Sequence, residues 1–139
     1  NGGKLVTPQV VRDVHRQGAS RETVWQSDLP QPKDVGLSKR TLHFVRSGLE
    51  QVVASPRGTG YKRVRLKSVS IAGKTGTAET GGGRPDHAWF AGYVPAERPQ
   101  IAFVAVVEHG GSGGVTAGPL AKKLVEEMLK QQLILPPAR

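Results

Sequence analysis

Residues 69–79 read Val-Ser-Ile-Ala-Gly-Lys-Thr-Gly-Thr-Ala-Glu, and the rest of the chain is interpreted around this stretch. Its first half has the apolar residues of a buried strand, whereas its second half carries a cation, hydroxyls and glycines. Alternation along a strand places Lys74 and Gly76 on one face and Thr75 and Thr77 on the other, and twist at the glycine can turn the hydroxyls toward one groove. The stretch therefore predicts a strand edge that binds an anionic substrate.

Composition limits the classes of protein to which the chain can belong. A length of 139 residues suits one domain, and 18 glycines and 10 prolines predict many turns and argue against a helical bundle. The sequence has no apolar run of about 18 residues that would predict a membrane span. Because it has no cysteine, disulfides and thiolate metal sites are excluded, and its four histidines lack the paired spacing of a metal site. We expect no metal and no cofactor.

The formal net charge of +9 predicts attraction to polyanions such as nucleic acid, anionic wall polymer or lipid head groups. Residues 61–67 form the densest basic segment, and we interpret it as a strand in which Val64 and Leu66 alternate with solvated charges. No aromatic stacking platform of the kind that binds RNA accompanies it. A non-catalytic basic binding module for nucleic acid or wall polymer is therefore the alternative to an enzyme.

The first 36 residues are predicted to form a β-ribbon and a linker. Short strands are expected within residues 4–16 and 21–25, on either side of a turn at residues 18–20, and Pro8 confines the first to an edge or an irregular stretch. Residues 27–36 contain two prolines and are predicted to be the linker.

Two helices are predicted from apolar residues at helical spacing. The first covers residues 38–55, and the second begins at residue 116 or 117, ends near residue 131 and is followed by a stop at Pro136 and Pro137. Gly48 inside the first helix costs about 1 kcal/mol relative to alanine unless close packing offsets the loss. The expected buried stripes are Leu42, Val45, Leu49, Val52 and Val53 in the first helix, and Leu120, Leu124, Val125, Met128 and Leu129 in the second.

Three strands are predicted between these helices: the opening stretch, residues 88–94 and residues 101–107. Short connections make them antiparallel neighbours. Residues 101–107 are apolar on both faces, which is typical of a central strand with helices on each side. Residues 108–114 are predicted to be a flexible connector. The expected fold class is mixed α/β (α+β), with an antiparallel sheet covered by helices on both faces.

Gly73-Lys74-Thr75 also suggests the end of a phosphate-binding P-loop, but two observations argue against nucleotide binding. That motif requires a glycine five residues before Gly73, where this chain has Ser68. It also requires a helix to begin at the lysine, and Gly76 and the glycines at 81–83 prevent that.

Lys74-Thr75-Gly76-Thr77 resembles the third active-site motif of the penicillin-binding proteins and serine β-lactamases. Such a lysine is a fixed positive charge beside a nucleophile, and the glycine lets a substrate strand approach the edge closely. The two hydroxyls can bind a carboxylate, and the Thr77 N–H can donate to an oxyanion, where loss of one donor costs about 3–4 kcal/mol of barrier.

Four segments taken in order make the resemblance specific. Residues 47–53 (SGLEQVV), 57–59 (RGT), 71–79 (IAGKTGTAE) and 87–95 (HAWFAGYVP) resemble the class B penicillin-binding proteins, most closely the elongation or cell-shape type. The resemblance implies a peptidoglycan D,D-transpeptidase that cross-links stem peptides through a serine acyl-enzyme and binds β-lactams. It implies that Lys74 assists catalysis, that Thr75, Gly76 and Thr77 bind the donor, and that the Thr77 N–H completes the oxyanion hole.

Two motifs of this family are not found in the sequence. No serine is followed three residues later by lysine, as the nucleophile motif Ser-x-x-Lys requires, and the second motif, Ser-x-Asn, is missing because the only asparagine is Asn1. We therefore expect residues 1–139 to be the C-terminal portion of a transpeptidase domain that is inactive alone, with a ribbon and linker over residues 1–36 and the helices and motif strands over residues 37–139.

The resemblance also implies partners and a location. The expected partners are the peptidoglycan stem peptide, β-lactams, the N-terminal part of the same transpeptidase and a membrane glycosyltransferase, with no nucleic acid. The expected location is the extracytoplasmic, periplasmic face of the bacterial membrane, through an anchor outside these residues.

Overall fold

The computed structural model describes residues 1–18 and 21–135. The predicted turn at residues 18–20 lies partly outside the described residues. The predicted stop at Pro136 and Pro137 lies wholly outside them. The chain divides into two compact units, residues 1–42 and residues 43–139, which are described separately. In the described part of the chain, no helix combines the length and apolar character that a membrane crossing requires.

The first unit consists of two short antiparallel ribbons. β1 (Lys4–Leu5) pairs with β4 (Lys33–Asp34), and β2 (Asp13–His15) pairs with β3 (Thr23–Gln26). The predicted ribbon is confirmed by the β2–β3 pair. The β1–β4 pair shows that the predicted linker of residues 27–36 contains a strand. None of the described side chains in this unit is buried, because strands this short have no covering layer.

Helix α1 (Lys39–Ala54) confirms the first predicted helix. The Ser38 hydroxyl accepts the Thr41 N–H at 3.0 Å, which is the usual N-terminal cap. Val53 is buried, but the prediction that Val45 is buried is wrong, since its exposed fraction is 55%. No atom would lie within 4 Å of a Cβ on Gly48, so close packing does not offset its cost.

The prediction of a strand over residues 61–67 is wrong, because α2 (Tyr61–Val64) is a single helical turn. The Gly60 carbonyl accepts the Val64 N–H at 2.8 Å, and the Gly58 carbonyl accepts the Tyr61 N–H at 3.1 Å. Val64 is completely buried. A four-residue turn is too short for periodicity to distinguish it from a strand, and the preceding glycine-rich turn decides the conformation.

The second unit contains a three-stranded antiparallel sheet of β5 (Ala72–Ala78), β6 (His87–Val94) and β7 (Ile101–Val107), in the order β5-β6-β7. The three predicted antiparallel strands are confirmed. The prediction that residues 101–107 form the central strand is wrong for the described residues, where β6 is central and Val104 is 55% exposed. An apolar run indicates two apolar faces, but it does not identify the neighbours of a strand.

One face of the sheet forms the core with the C-terminal elements. A π-helical turn (Gly113–Ala117), called the π-turn below, leads into α3 (Gly118–Lys130), and both pack on β6. The Phe90 and Phe103 rings stack with centroids 5.9 Å apart. Val125 is buried as predicted, whereas Leu120 and Leu124, predicted to be buried, are 44% and 36% exposed. The predicted mixed α/β class with an antiparallel sheet and helices is confirmed. The prediction that helices cover both faces is not met by the described residues, since Trp89 and Val104 on the opposite face are 38% and 55% exposed.

Candidate active site

The sequence-predicted site residues lie together on β5, which pairs on one side with β6 and has an unpaired opposite edge among the described residues. Lys74, Thr75, Gly76 and Thr77 all line one cleft of about 530 Å³. Because alternate side chains point to opposite faces, a cleft that touches four consecutive residues runs along the strand edge. The other lining residues are Pro56, Gly58, Thr59, Lys62, Arg63, Ser112, Gly114 and Val115.

The cleft is electropositive. Among the described residues that line it, the ionisable ones are Lys62, Arg63 and Lys74, and none is a carboxylate. Lys74 is exposed, and its Nζ donates to the Thr75 carbonyl at 2.8 Å. Charges of one sign on a concave surface concentrate the field and attract the opposite charge. The geometry therefore suits an anionic ligand.

Thr75 lies on the packed face of the sheet, and its exposed fraction is only 8%. Its Oγ1 lies 2.8 Å from the Oγ1 of Thr59, in the loop that follows α1. A buried hydroxyl without a partner would destabilise the fold, and Thr59 supplies that partner. Sequence reasoning did not identify Thr59 as a site residue, although it stands in the Arg57-Gly58-Thr59 segment.

Thr77 is exposed at the cleft, and its Oγ1 accepts the Gly113 N–H at 3.2 Å. A Cβ on Gly113 would lie 2.1 Å from the Gly76 carbonyl oxygen and 2.6 Å from that of Trp89. Only glycine therefore allows the π-turn to approach the motif strand so closely. The prediction that residues 108–114 are simply a flexible connector is wrong for Gly113. The sequence feature that could have identified Gly113 as a packed residue is the run of glycines directly before a helix.

Two histidines lie at the far end of the β5–β6 hairpin and make structural contacts. The His109 backbone N–H donates to His87 Nδ1 at 2.9 Å, and His109 Nδ1 lies 2.9 Å from the Pro85 carbonyl. Neither residue lines the motif cleft. Within residues 1–18 and 21–135, no group of three or more histidines and carboxylates is arranged to hold a metal ion.

The phenol of Tyr93 has a raised pKa. Burial raises the pKa of its phenol, the Glu50 carboxylate raises that pKa further, and Arg46 partly opposes both. The phenol oxygen is buried and has no hydrogen-bond partner within residues 1–18 and 21–135. Glu50 also lines a second cavity, of about 600 Å³, which contains both acidic and basic residues but no residue of the motif. This cavity lacks the uniform charge of the motif cleft.

Comparison with known proteins gives one consistent family. The penicillin binding protein transpeptidase domain family matches residues 1–126. The peptidoglycan D,D-transpeptidase MrdA of Haemophilus influenzae is 31% identical in an alignment that covers 96% of this chain and 22% of that protein. The chain thus spans about a fifth of the length of this curated relative.

Solved structures agree with the sequence match. A D,D-transpeptidase domain from Eggerthella lenta is similar with a TM-score of 0.72 and 32% identity, covering 96% of this chain and 30% of that one. Penicillin-binding protein A of Mycobacterium tuberculosis, solved as an imipenem acyl-enzyme complex, gives a TM-score of 0.71 and 26% identity, covering 93% and 28%.

Proposed function

This chain belongs to the penicillin-binding protein transpeptidase domain family, and on that premise we propose that it forms one wall of a peptidoglycan D,D-transpeptidase site. The observation that carries the proposal is the electropositive cleft along the free edge of β5, lined by all four residues of the motif. The proposed division of the chain remains a ribbon and linker over residues 1–36, followed by the helices and motif strands over residues 37–139.

The proposed reaction is acyl transfer through a serine outside these residues. The serine oxygen attacks the penultimate D-Ala carbonyl, the C–N bond breaks, and the terminal D-Ala leaves with a proton on its amine. An amine of a neighbouring stem peptide then attacks the ester, the C–O bond breaks, and the serine recovers its proton. The ester intermediate divides one difficult step into two easier ones.

In this mechanism the motif residues bind the donor and stabilise charge. The Thr75 and Thr77 hydroxyls donate to the donor carboxylate, and Lys74 supplies positive potential and assists the serine of the second motif. Because the Thr75 carbonyl accepts a hydrogen bond from the Lys74 Nζ, we infer that it faces the unpaired edge. The two-residue repeat of a strand then directs the Thr77 N–H to the same edge, where it can donate to the oxyanion.

Partners and location are part of the same proposal. We propose that the site takes a peptidoglycan stem peptide as donor and that β-lactams occupy the same place, because their carboxylate and reactive carbonyl mimic the donor. A further portion of the polypeptide would supply the Ser-x-x-Lys and Ser-x-Asn motifs. The protein would act in cell-shape maintenance on the periplasmic face of the membrane, with a membrane glycosyltransferase as partner.

Labelling by a fluorescent penicillin tests the proposed function. We expect the full-length gene product that contains this chain to be labelled, and Lys74→Ala to slow labelling about a hundredfold, within the usual range for a group that assists proton transfer. Lys67→Ala is the control, since Lys67 is exposed and lies outside the motif cleft. Residues 1–139 alone should remain unlabelled.

Absence of labelling in the full-length product would reject the proposed transpeptidase function. The alternative, a basic binding module, predicts a different result: binding to DNA or anionic polymer that weakens steeply with salt, without reaction with penicillin.

A further inference from the structure

We propose that Thr59 is a positioning residue that directs the Thr75 hydroxyl toward the carboxylate of the ligand. The inference rests on the proposed function, since it concerns the binding of the same donor carboxylate. Thr59 belongs to neither β5 nor its motif, and it reaches the site from the loop between α1 and α2. Its oxygen lies 2.8 Å from that of Thr75, and both residues line the cleft.

The chemistry of a hydroxyl explains why a partner matters. A threonine hydroxyl has one proton to donate and two lone pairs to accept. When Thr59 donates to Thr75 Oγ1, the Thr75 proton is free to point into the cleft and bind an anion. Without Thr59, the nearly buried Thr75 hydroxyl loses the partner that it has among the described residues, and its own proton is free to turn to other acceptors.

The neighbouring Thr77 has an equivalent arrangement with fixed roles. The Gly113 backbone N–H can only donate, so Thr77 Oγ1 accepts at 3.2 Å and the Thr77 proton remains available to the ligand. Two hydroxyls of the motif strand therefore each have a partner supplied by a different loop. Together they form a pair of donors that is set before the ligand arrives.

The loop that carries Thr59 is held rigidly against the end of α1. The Val52 carbonyl accepts the Gly60 N–H at 2.9 Å, and the Ser55 carbonyl accepts the Gly58 N–H at 2.8 Å. A Cβ on Gly58 would lie 2.2 Å from the Val52 carbonyl oxygen, so this loop packs directly on the helix backbone. Gly114 of the π-turn lies on its other side, where a Cβ would be 3.2 Å from the Thr59 carbonyl oxygen.

The experiment compares two probes on the full-length gene product that contains this chain. One probe is a penicillin with its free carboxylate, and the other is the methyl ester of the same penicillin. Thr59→Val, which keeps the side-chain shape, should slow acylation by the acid about tenfold, the effect of one hydrogen bond to a charged group. Acylation by the ester should not change, and Thr59→Ser should restore the rate with the acid.

Thr80→Val is the matched control, because the Thr80 hydroxyl donates to the Arg84 carbonyl at 3.2 Å and lies outside the cleft. It should not alter either rate. The positioning role is overturned if Thr59→Val slows both probes equally, slows neither, or is not rescued by serine. If the unsubstituted protein reacts with neither probe, the proposed function itself fails and this inference fails with it.

Discussion

The two faces of the sheet are built from the same three strands, yet they differ in what covers them. On one face Phe90, Val94 and Phe103 are buried under the π-turn and α3. On the other face Trp89, Val104 and Val106 have exposed fractions of 38%, 55% and 40%. The difference teaches that apolar content alone does not make a core. Within the described residues, the exposed part of the second face, at Trp89, Val104 and Val106, should contribute little to stability, although Ala72 and the Tyr93 phenol oxygen on that same face are buried.

The motif of residues 74–77 spans this division. Thr75 belongs to the packed face and is nearly buried, whereas Lys74 belongs to the other face and is exposed. Substitutions at Thr75 should therefore disturb packing as well as binding, while those at Lys74 should affect chemistry with little effect on stability.

The largest expected effect is at the centre of the packed face. Phe90 is completely buried and stacks on Phe103, so Phe90→Ala should lower the free energy of unfolding by about 3–5 kcal/mol. Urea denaturation of the full-length gene product measures the change.

A matched pair of valines separates burial from residue type. Val94→Ala on the packed face should destabilise by about 1.5–3 kcal/mol, and Val104→Ala on the open face by less than about 0.5 kcal/mol. Equal losses of unfolding free energy at the two positions would show that the open face is covered in the full-length protein.

The next largest effect is expected where the packed face meets the cleft. A methyl group on Gly113 would overlap two backbone oxygens, so Gly113→Ala should destabilise by about 1–3 kcal/mol and slow penicillin labelling. The same change at Gly48, where a Cβ would meet no atom within 4 Å, should instead stabilise by about 0.5–1 kcal/mol. Thermal unfolding of both variants measures the effects on stability. Unchanged stability and labelling in Gly113→Ala would contradict the close packing of the π-turn.

The comparison also shows what the sequence could and could not predict. Periodicity identified α1, α3 and the three strands, because it reports which residues share a face. It could not report whether that face is covered, and so Val45, Leu120 and Leu124 were wrongly assigned to the core. The Thr77–Gly113 contact joins residues 36 positions apart, and no local pattern encodes such a distance.

The motif itself was readable because four segments of the sequence, taken in order, resemble one family around it. The structure brings all four motif residues to one cleft. The supporting residues, Thr59 and Gly113, are ordinary in their local sequence. Their contribution depends on tertiary contacts.

The smallest expected effect concerns the buried phenol of Tyr93. Because its oxygen has no hydrogen-bond partner in the part of the chain that the structure describes, Tyr93→Phe should be neutral or stabilise by up to about 1 kcal/mol near pH 7. Its pKa is raised in the folded state, so above pH of about 10 the unfolded chain loses its phenol proton first and stability falls as pH rises. Tyr93→Phe should remove that part of the alkaline loss in unfolding experiments at rising pH, and an unchanged alkaline profile would contradict this role.

The most direct test of the central claim is a crystal structure of the full-length gene product acylated by a penicillin. The penicillin carboxylate should lie within about 2.6–3.2 Å of the Thr75 and Thr77 hydroxyl oxygens, with the acyl carbonyl oxygen at the same distance from the Thr77 backbone nitrogen. A carboxylate bound away from the free edge of β5, or an acyl group with no contact to Thr77, would contradict the assignment of this edge as the wall of the active site.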